Sequence, residues 1–214
     1  MKEIVYATTN PGKFGEVSKL FLAHGILLHS PSDYGVLVEV PETGSTLEEN
    51  AILKAEAYRD AIKEDVIVLG DDTGVEIKAL GGEPGIRVKR WRGYEMQDEE
   101  IINYCLERLS SIKSDDRQAQ FRTVIAVAKI GQPTKTFSGV LDGRIVASPI
   151  PLRIKGFPFE SIFYATDYDL MLGEIHQLSI EEKLKRNIIT HREKAVIASL
   201  PYLSAQAGLA NLTN

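Results

Sequence analysis

The chain has 214 residues, a formal net charge of -5 and 43% hydrophobic residues, enough for a sizeable core that needs no disulfide or metal to hold it. The acidic balance excludes tight binding to a nucleic acid polymer, whose affinity comes from Lys and Arg neutralising phosphates, but leaves a small phosphorylated ligand open. Cys105 is the lone cysteine, so no intrachain disulfide forms and a reducing cytoplasm is expected; no apolar run nears the roughly 18 residues of a membrane span, and no outward targeting or membrane partner is expected.

Glu3 to Ala7 is an apolar run of buried-strand type that stops at the turn formers TTNPGK. Beyond Lys13, the spacing of Phe14, Val17, Leu20 and Phe21 predicts a helix ending at His24-Gly25. Val36 to Val40 reads as a second, weak strand broken by Pro41-Glu42-Thr43-Gly44. Thr46 and Glu49 form a capping box that opens a helix to about Ile62. Val66 to Leu69 predicts a buried strand, GDDTG a turn, and Val75 to Leu80 another strand. A loop at GGEPG leads to an amphipathic helix from Glu99 to Leu109. Two β-branched runs between Ala119 and Ala147 flank GQPT and predict a long antiparallel hairpin, the backbone of a second lobe. From Glu181 the pattern is helical, interrupted near Ile189 to Arg192 and resuming through Ala195 to Ala207. No repeat or linker is visible, so residues 1–214 read as one mixed α/β domain.

Thr8-Thr9-Asn10-Pro11-Gly12-Lys13 lies where a strand hands over to a helix, where free amides and the helix dipole attract phosphate and Lys13 adds a point charge. The Walker A spacing is absent, so P-loop chemistry is disfavoured; a plain capped turn with a solvated Lys fits the same residues. Asp71-Asp72 repel each other unless a cation, a shared proton or basic partners offset the repulsion. Such a pair can hold a divalent ion or activate water, or it can be two solvated turn aspartates. Glu48 and Glu49 suit the helix start, whereas Glu42 in the preceding loop can face a common site. Lys54 shares a helix face with Asn50, four residues before it. Farther on, Phe157 and Phe159 can stack on a purine or pack in the core, and Glu160 can accept from base N–H groups. Thr190-His191-Arg192 precedes a helix and suits either a ligand contact or a simple cap. The four histidines show no metal-ligand spacing.

The ordered blocks TTNPGK, PETGSTLEENAILKA, LGDDTGVEIKALGGEPGI, FPFESIF and THREKA span nearly the whole chain. Together they resemble the inosine triphosphate pyrophosphatase family, enzymes that clear deaminated purine nucleoside triphosphates. The resemblance implies a long twisted mixed sheet flanked by helices, with two lobes around a nucleotide cleft, usually as a homodimer. It implies cleavage of ITP, dITP or XTP between the α and β phosphates to monophosphate and pyrophosphate, with Mg²⁺. Carried onto this chain, Thr8, Thr9, Asn10, Lys13 and Thr73 would hold the nucleotide, Lys54 the phosphates from its helix. Glu42 and Asp72 would handle the metal, Asp72 would activate water, and Asp71 would be its neighbour. Phe157, Phe159, Glu160, Arg186, His191 and Arg192 would form the base end. There the chain departs from the family pattern: Pro158 stands for a Gly, Phe159 for a Trp or Tyr, Glu160 for an Asp and Arg186 for a Lys. The same fold with altered base choice, or a nucleotide-binding homologue without turnover, are the rival readings.

Overall fold

The computed structural model describes residues 3–208. In chain order the elements are β1 (Ile4–Ala7), α1 (Pro11–Ala23), β2 (Leu28–His29), α2 (Leu47–Ile62), β3 (Ile67–Ile77), β4 (Pro84–Gly85) and α3 (Asp98–Arg108). They continue with β5 (Gln118–Lys129), β6 (Lys135–Ile145), β7 (Phe163–Ala165), β8 (Leu170–Met171), α4 (Leu172–Gln177), α5 (Ile180–Lys185) and α6 (His191–Ala207). The eight strands form one sheet in the order β2-β1-β3-β5-β6-β7-β8, with β4 paired to β3. β1 runs parallel to β2 and β3, while β4, β7 and β8 add antiparallel pairs. The expected mixed α/β sheet flanked by helices is therefore what the chain forms.

The chain packs into two compact units. The first comprises residues 3–73, 123–139 and 191–208, the second residues 74–122 and 140–190. The predicted hairpin is present as β5 and β6, whose connection is too short for the crossover that a parallel pair needs. It does not form the backbone of the second unit alone: its tip, from Thr123 to Gly139, belongs to the first.

In the first unit, strand alternation sorts side chains to two apolar clusters. Ile4, Tyr6, Ile67 and Leu69 meet Val17 and Phe21 of α1 and Val196, Leu200 and Leu203 of α6. Val5, Ala7 and Val68 meet Tyr58 and Ile62 of α2. Two glycines let helices close on the sheet. A Cβ on Gly70 would lie 2.5 Å from the Ala51 carbonyl and 2.7 Å from the Ala55 nitrogen of α2. One on Gly139 would lie 2.2 Å from the His191 carbonyl at the start of α6. The second unit has its own core, in which Val75 and Ile77 of β3 join Ile101, Ile102 and Cys105 of α3 with Phe121, Leu141, Phe159 and Phe163. Phe121 stands edge-on to both Phe163 and Phe159, with ring centroids 4.8 and 6.2 Å away.

Several local expectations are corrected. Val36 to Val40 is not a strand; Val36, Val38 and Val40 lie half-buried against the α2 cluster, and the Tyr58 hydroxyl donates to the Val38 carbonyl at 2.9 Å. GDDTG is not a turn, because β3 runs unbroken through it and ends at Ile77, followed by a 3-10 turn over Lys78–Leu80. The turn propensity of Asp-Asp-Thr-Gly yields to tertiary partners on each face of the strand. α6 begins at His191, so His191 and Arg192 are helical residues. Thr46 caps α2 as expected, and the Glu49 carboxylate also accepts from the Ser45 backbone N–H and hydroxyl.

Gly70→Ala places a methyl group against α2 backbone, a rigid neighbour that cannot step aside cheaply. The substitution is expected to lower the unfolding free energy by about 1–3 kcal/mol, as overpacking does. Urea unfolding measures it, and a change below about 0.5 kcal/mol, the surface-substitution range, would show that α2 does not seat directly on this strand.

Candidate functional site

Because β3 alternates, Asp71 and Asp72 face opposite sides of the sheet. Asp71 follows Ile67 and Leu69 onto the α1 and α6 side; Asp72 follows Val68 and Gly70 onto the α2 side. The repulsion expected between adjacent carboxylates is thus avoided by geometry, and each acid meets cations of its own.

On the first side Lys13 Nζ donates to Asp71 Oδ2 at 2.9 Å, both side chains being largely buried. Arg192, from the first turn of α6, brings its Nε to 3.7 Å from the same oxygen. Its guanidinium also donates to Glu16 of α1 and reaches Thr73 Oγ1 at 3.4 Å. Thr73 in turn shares a hydrogen bond with Thr123 of β5 at 2.8 Å. Burial alone would raise the Asp71 pKa, but Lys13, then Arg192 and Lys54, hold it well below the usual carboxylate range. Burial lowers the Lys13 pKa more than Asp71 raises it, with Arg192 adding to the lowering.

On the other side Lys54 projects from α2. Its Nζ lies 2.6 Å from Glu42 Oε1 and 3.5 Å from Asp72 Oδ1, and donates to the Asp71 carbonyl at 2.9 Å. Asn50, one turn earlier and 2% exposed, donates to Asp72 Oδ2 at 3.1 Å while its Oδ1 accepts from Gly44 N at 2.8 Å. Burial, reinforced by the like charge of Glu42, raises the Asp72 pKa despite Lys54. The Lys54 pKa goes up although burial opposes it, since Asp72, Asp71 and Glu42 all favour the ammonium. The two directions agree physically: the lysine sees three acids, whereas the aspartate sees one close cation and a second acid.

At the start of α1, Asn10 Oδ1 accepts from Gly12 N and Lys13 N at 2.9 and 3.2 Å, and Asn10 N donates to Thr8 Oγ1 at 3.2 Å. The amides expected to be open to phosphate are therefore already capped by Asn10, with Thr9 exposed beside them. His191 is 2% exposed at the head of α6.

The remaining expected residues lie in the second unit. Phe157 is half-buried, Phe159 is 2% exposed in the aromatic core, and Arg186 is an exposed residue closing α5. Glu160, 4% exposed, accepts from His176 of α4 at 2.6 Å. Sequence reasoning missed Glu16, Thr123 and His176 as partners, and treated Asn50 only as a neighbour of Lys54. Glu16 was the most findable, since it lies three residues after Lys13 and so shares its helix face.

Among the described residues no group of three or more His, Cys, Asp or Glu side chains converges, and no helix is long and apolar enough to cross a membrane. Hard carboxylate oxygens from Glu42 and Asp72 around one ammonium are the donor type that Mg²⁺ takes, usually one or two acids with phosphate oxygens and water completing its shell.

A family profile described as Ham1 family matches residues 4–202. The chain is 38% identical over 196 residues to the dITP/XTP pyrophosphatase of Bacillus subtilis, covering 92% of this chain and 94% of that one. It is 39% identical over 196 residues to the protein of the same name from Geobacillus kaustophilus, covering 92% and 91%. Among solved structures, the Ham1 protein of Staphylococcus aureus superposes with a TM-score of 0.77 at 36% identity, covering 96% of this chain and 100% of that one.

Asp71→Asn removes one partner of a buried ion pair and leaves Lys13 uncompensated, while Arg192 keeps Glu16; it is expected to lower stability at neutral pH by about 3–5 kcal/mol. Because the folded pKa of Asp71 is depressed, its stabilisation is full above the unfolded value of about 3.9 and drains away as pH falls below that. The gap between the native protein and the variant should therefore narrow between about pH 4 and pH 2 in urea unfolding. A gap independent of pH would show that the charge of Asp71 is not what holds the cluster.

Proposed function

The chain belongs to the Ham1 family, and on that premise we propose that it hydrolyses deaminated purine nucleoside triphosphates, ITP, dITP and XTP, to the monophosphate and pyrophosphate. The single observation that carries the reading is Lys54 held between Glu42 and Asp72, with Asp71 and Lys13 on the other face of the same strand. Two amines and three acids around one short stretch of backbone suit a polyphosphate and its counter-ion. The names of the similar proteins supply the substrate class.

In this reading Asp72 takes a proton from the water that attacks the α-phosphorus, as the bond to the β-phosphate oxygen breaks and pyrophosphate leaves. A raised pKa makes Asp72 a stronger base than an ordinary carboxylate. Asn50 fixes its orientation. Lys54 and Lys13 neutralise charge on the phosphate oxygens, and Asp71 keeps Lys13 in place. Glu42 and Asp72 would hold Mg²⁺, which when bound supplies charge neutralisation on the phosphates. Thr8, Thr9, Asn10 and Thr73 border the phosphate end, while Phe157, Phe159, Glu160, Arg186, His191 and Arg192 serve base recognition. Arg192 does so indirectly, since its guanidinium is committed to Glu16 and Thr73. A cytoplasmic homodimer is the form in which we propose the protein acts, and the buried lone Cys105 suits a reducing compartment.

Pyrophosphate release from a panel of nucleoside triphosphates with Mg²⁺ tests the reading: ITP, dITP and XTP should exceed ATP, and another preferred base would displace the assigned specificity. Asp72→Asn should lower kcat about 10²–10⁴-fold, the usual contribution of a positioned base, while KM stays within about tenfold. Equal loss in substrate affinity would make Asp72 a binding group instead.

A further inference from the structure

In the second unit a buried polar contact ties Glu160 to His176, a residue that has no role assigned so far. Glu160 sits in the 3-10 turn Pro158–Ser161, directly after the core-anchored Phe159. Its Oε1 lies 2.6 Å from His176 Nδ1, with the two side chains 5% and 15% exposed. An ionised carboxylate can only accept, so Nδ1 carries the proton. The other carboxylate oxygen, Oε2, is buried and accepts no hydrogen bond from the described residues. A buried, unmatched carboxylate oxygen is a costly feature that calls for a donor.

The packing that brings His176 there is tight. Gly173, one turn before His176 on α4, leaves no room for a side chain: a Cβ would lie 2.6 Å from Leu152 Cδ2 and 3.0 Å from the Glu160 carbonyl. α4 is thereby pressed against the Glu160 turn, and the i, i+3 relation puts His176 on the same face. Glu is one methylene longer than Asp and has one more rotatable bond, so without a second anchor its carboxylate would wander. His176 supplies that anchor.

We propose that His176 is a positioning residue that sets base selectivity: it fixes Glu160 so that Oε2 accepts the N1–H of a 6-keto purine. This rests on the reading that Glu160 faces the base. Hypoxanthine, xanthine and guanine carry a hydrogen on N1, whereas N1 of adenine presents a lone pair, which a fixed carboxylate repels. A site built around a buried acceptor rejects a ligand lacking the donor far more strongly than a loose one does. The pair therefore discriminates against adenine and is blind to the difference between hypoxanthine and guanine.

The test is steady-state pyrophosphate release from ITP, GTP and ATP by the native protein, His176→Ala, His176→Asn and Glu160→Gln. His176→Ala should lower the ITP-over-ATP ratio of kcat/KM at least about tenfold, chiefly through KM for ITP, while ITP over GTP stays within about threefold. His176→Asn, whose side-chain N–H stands near the position of Nδ1–H, should recover the ratio to within about threefold. These ratios are internal to each variant, so partial unfolding does not alter them. Equal losses on all three nucleotides, or failure of Asn to recover the ratio, would overturn the proposal in favour of a structural pair. An unchanged ratio in His176→Ala with a lowered one in Glu160→Gln would show that Glu160 reads the base without His176. If neither variant moves the ratio, the placement of Glu160 at the base fails, and the proposal with it.

Discussion

The constraint on which the rest depends is the two-residue period of β3. Were Asp71 and Asp72 in a turn, they would share a hemisphere and a counter-ion. In an unbroken strand they cannot. Each is delivered to a different helix layer: Asp71 to Lys13 and Arg192, Asp72 to Asn50 and Lys54. The same alternation that sorts Leu69 from Val68 between two apolar clusters thus continues into the charged residues, and the core's register sets the site's register.

From that separation follows a division of labour. Asp71 is 1% exposed and surrounded by cations, so it stays ionised, in contact with Lys13 and with Arg192 at the head of α6. Asp72 is less well compensated, and burial with Glu42 nearby raises its proton affinity. Neighbouring residues of one type acquire opposite pKa shifts because they face different surroundings. The glycines at 70 and 139 are part of this arrangement, since a side chain at either would hold α2 or α6 off the sheet and carry Lys54 or Arg192 away with it.

Much of this was legible in the sequence. The periodicity around Phe14, the Thr46 cap and the Glu99 helix each carried a local signal, and local signals survive folding. The order of motifs also pointed to the right family. What misled was local chemistry overridden by distant partners: Asp-Asp-Thr-Gly has turn propensity, but Lys13, Arg192, Asn50 and Lys54 arrive from as far as the C-terminal helix and make it strand. The capping of Gly12 and Lys13 by Asn10 is a single-residue event that any helix start could show, so the loop's amides looked open. His176 carried no signal at all, because its relation to Glu160 spans 16 residues through β7, β8 and most of α4. A lone histidine on a six-residue helix is indistinguishable in sequence from a surface residue.

The most direct test of the account is a carbon-13 carboxyl titration of the aspartates in the metal-free protein, with Asp71 and Asp72 assigned by their Asn variants. The two adjacent residues should part: Asp72 takes up its proton above the ordinary aspartate value of about 3.9, and Asp71 remains ionised below it for as long as the fold survives. Two superposed curves near that value, or the reverse order, would contradict the claim that β3 places its neighbouring acids in opposed electrostatic surroundings.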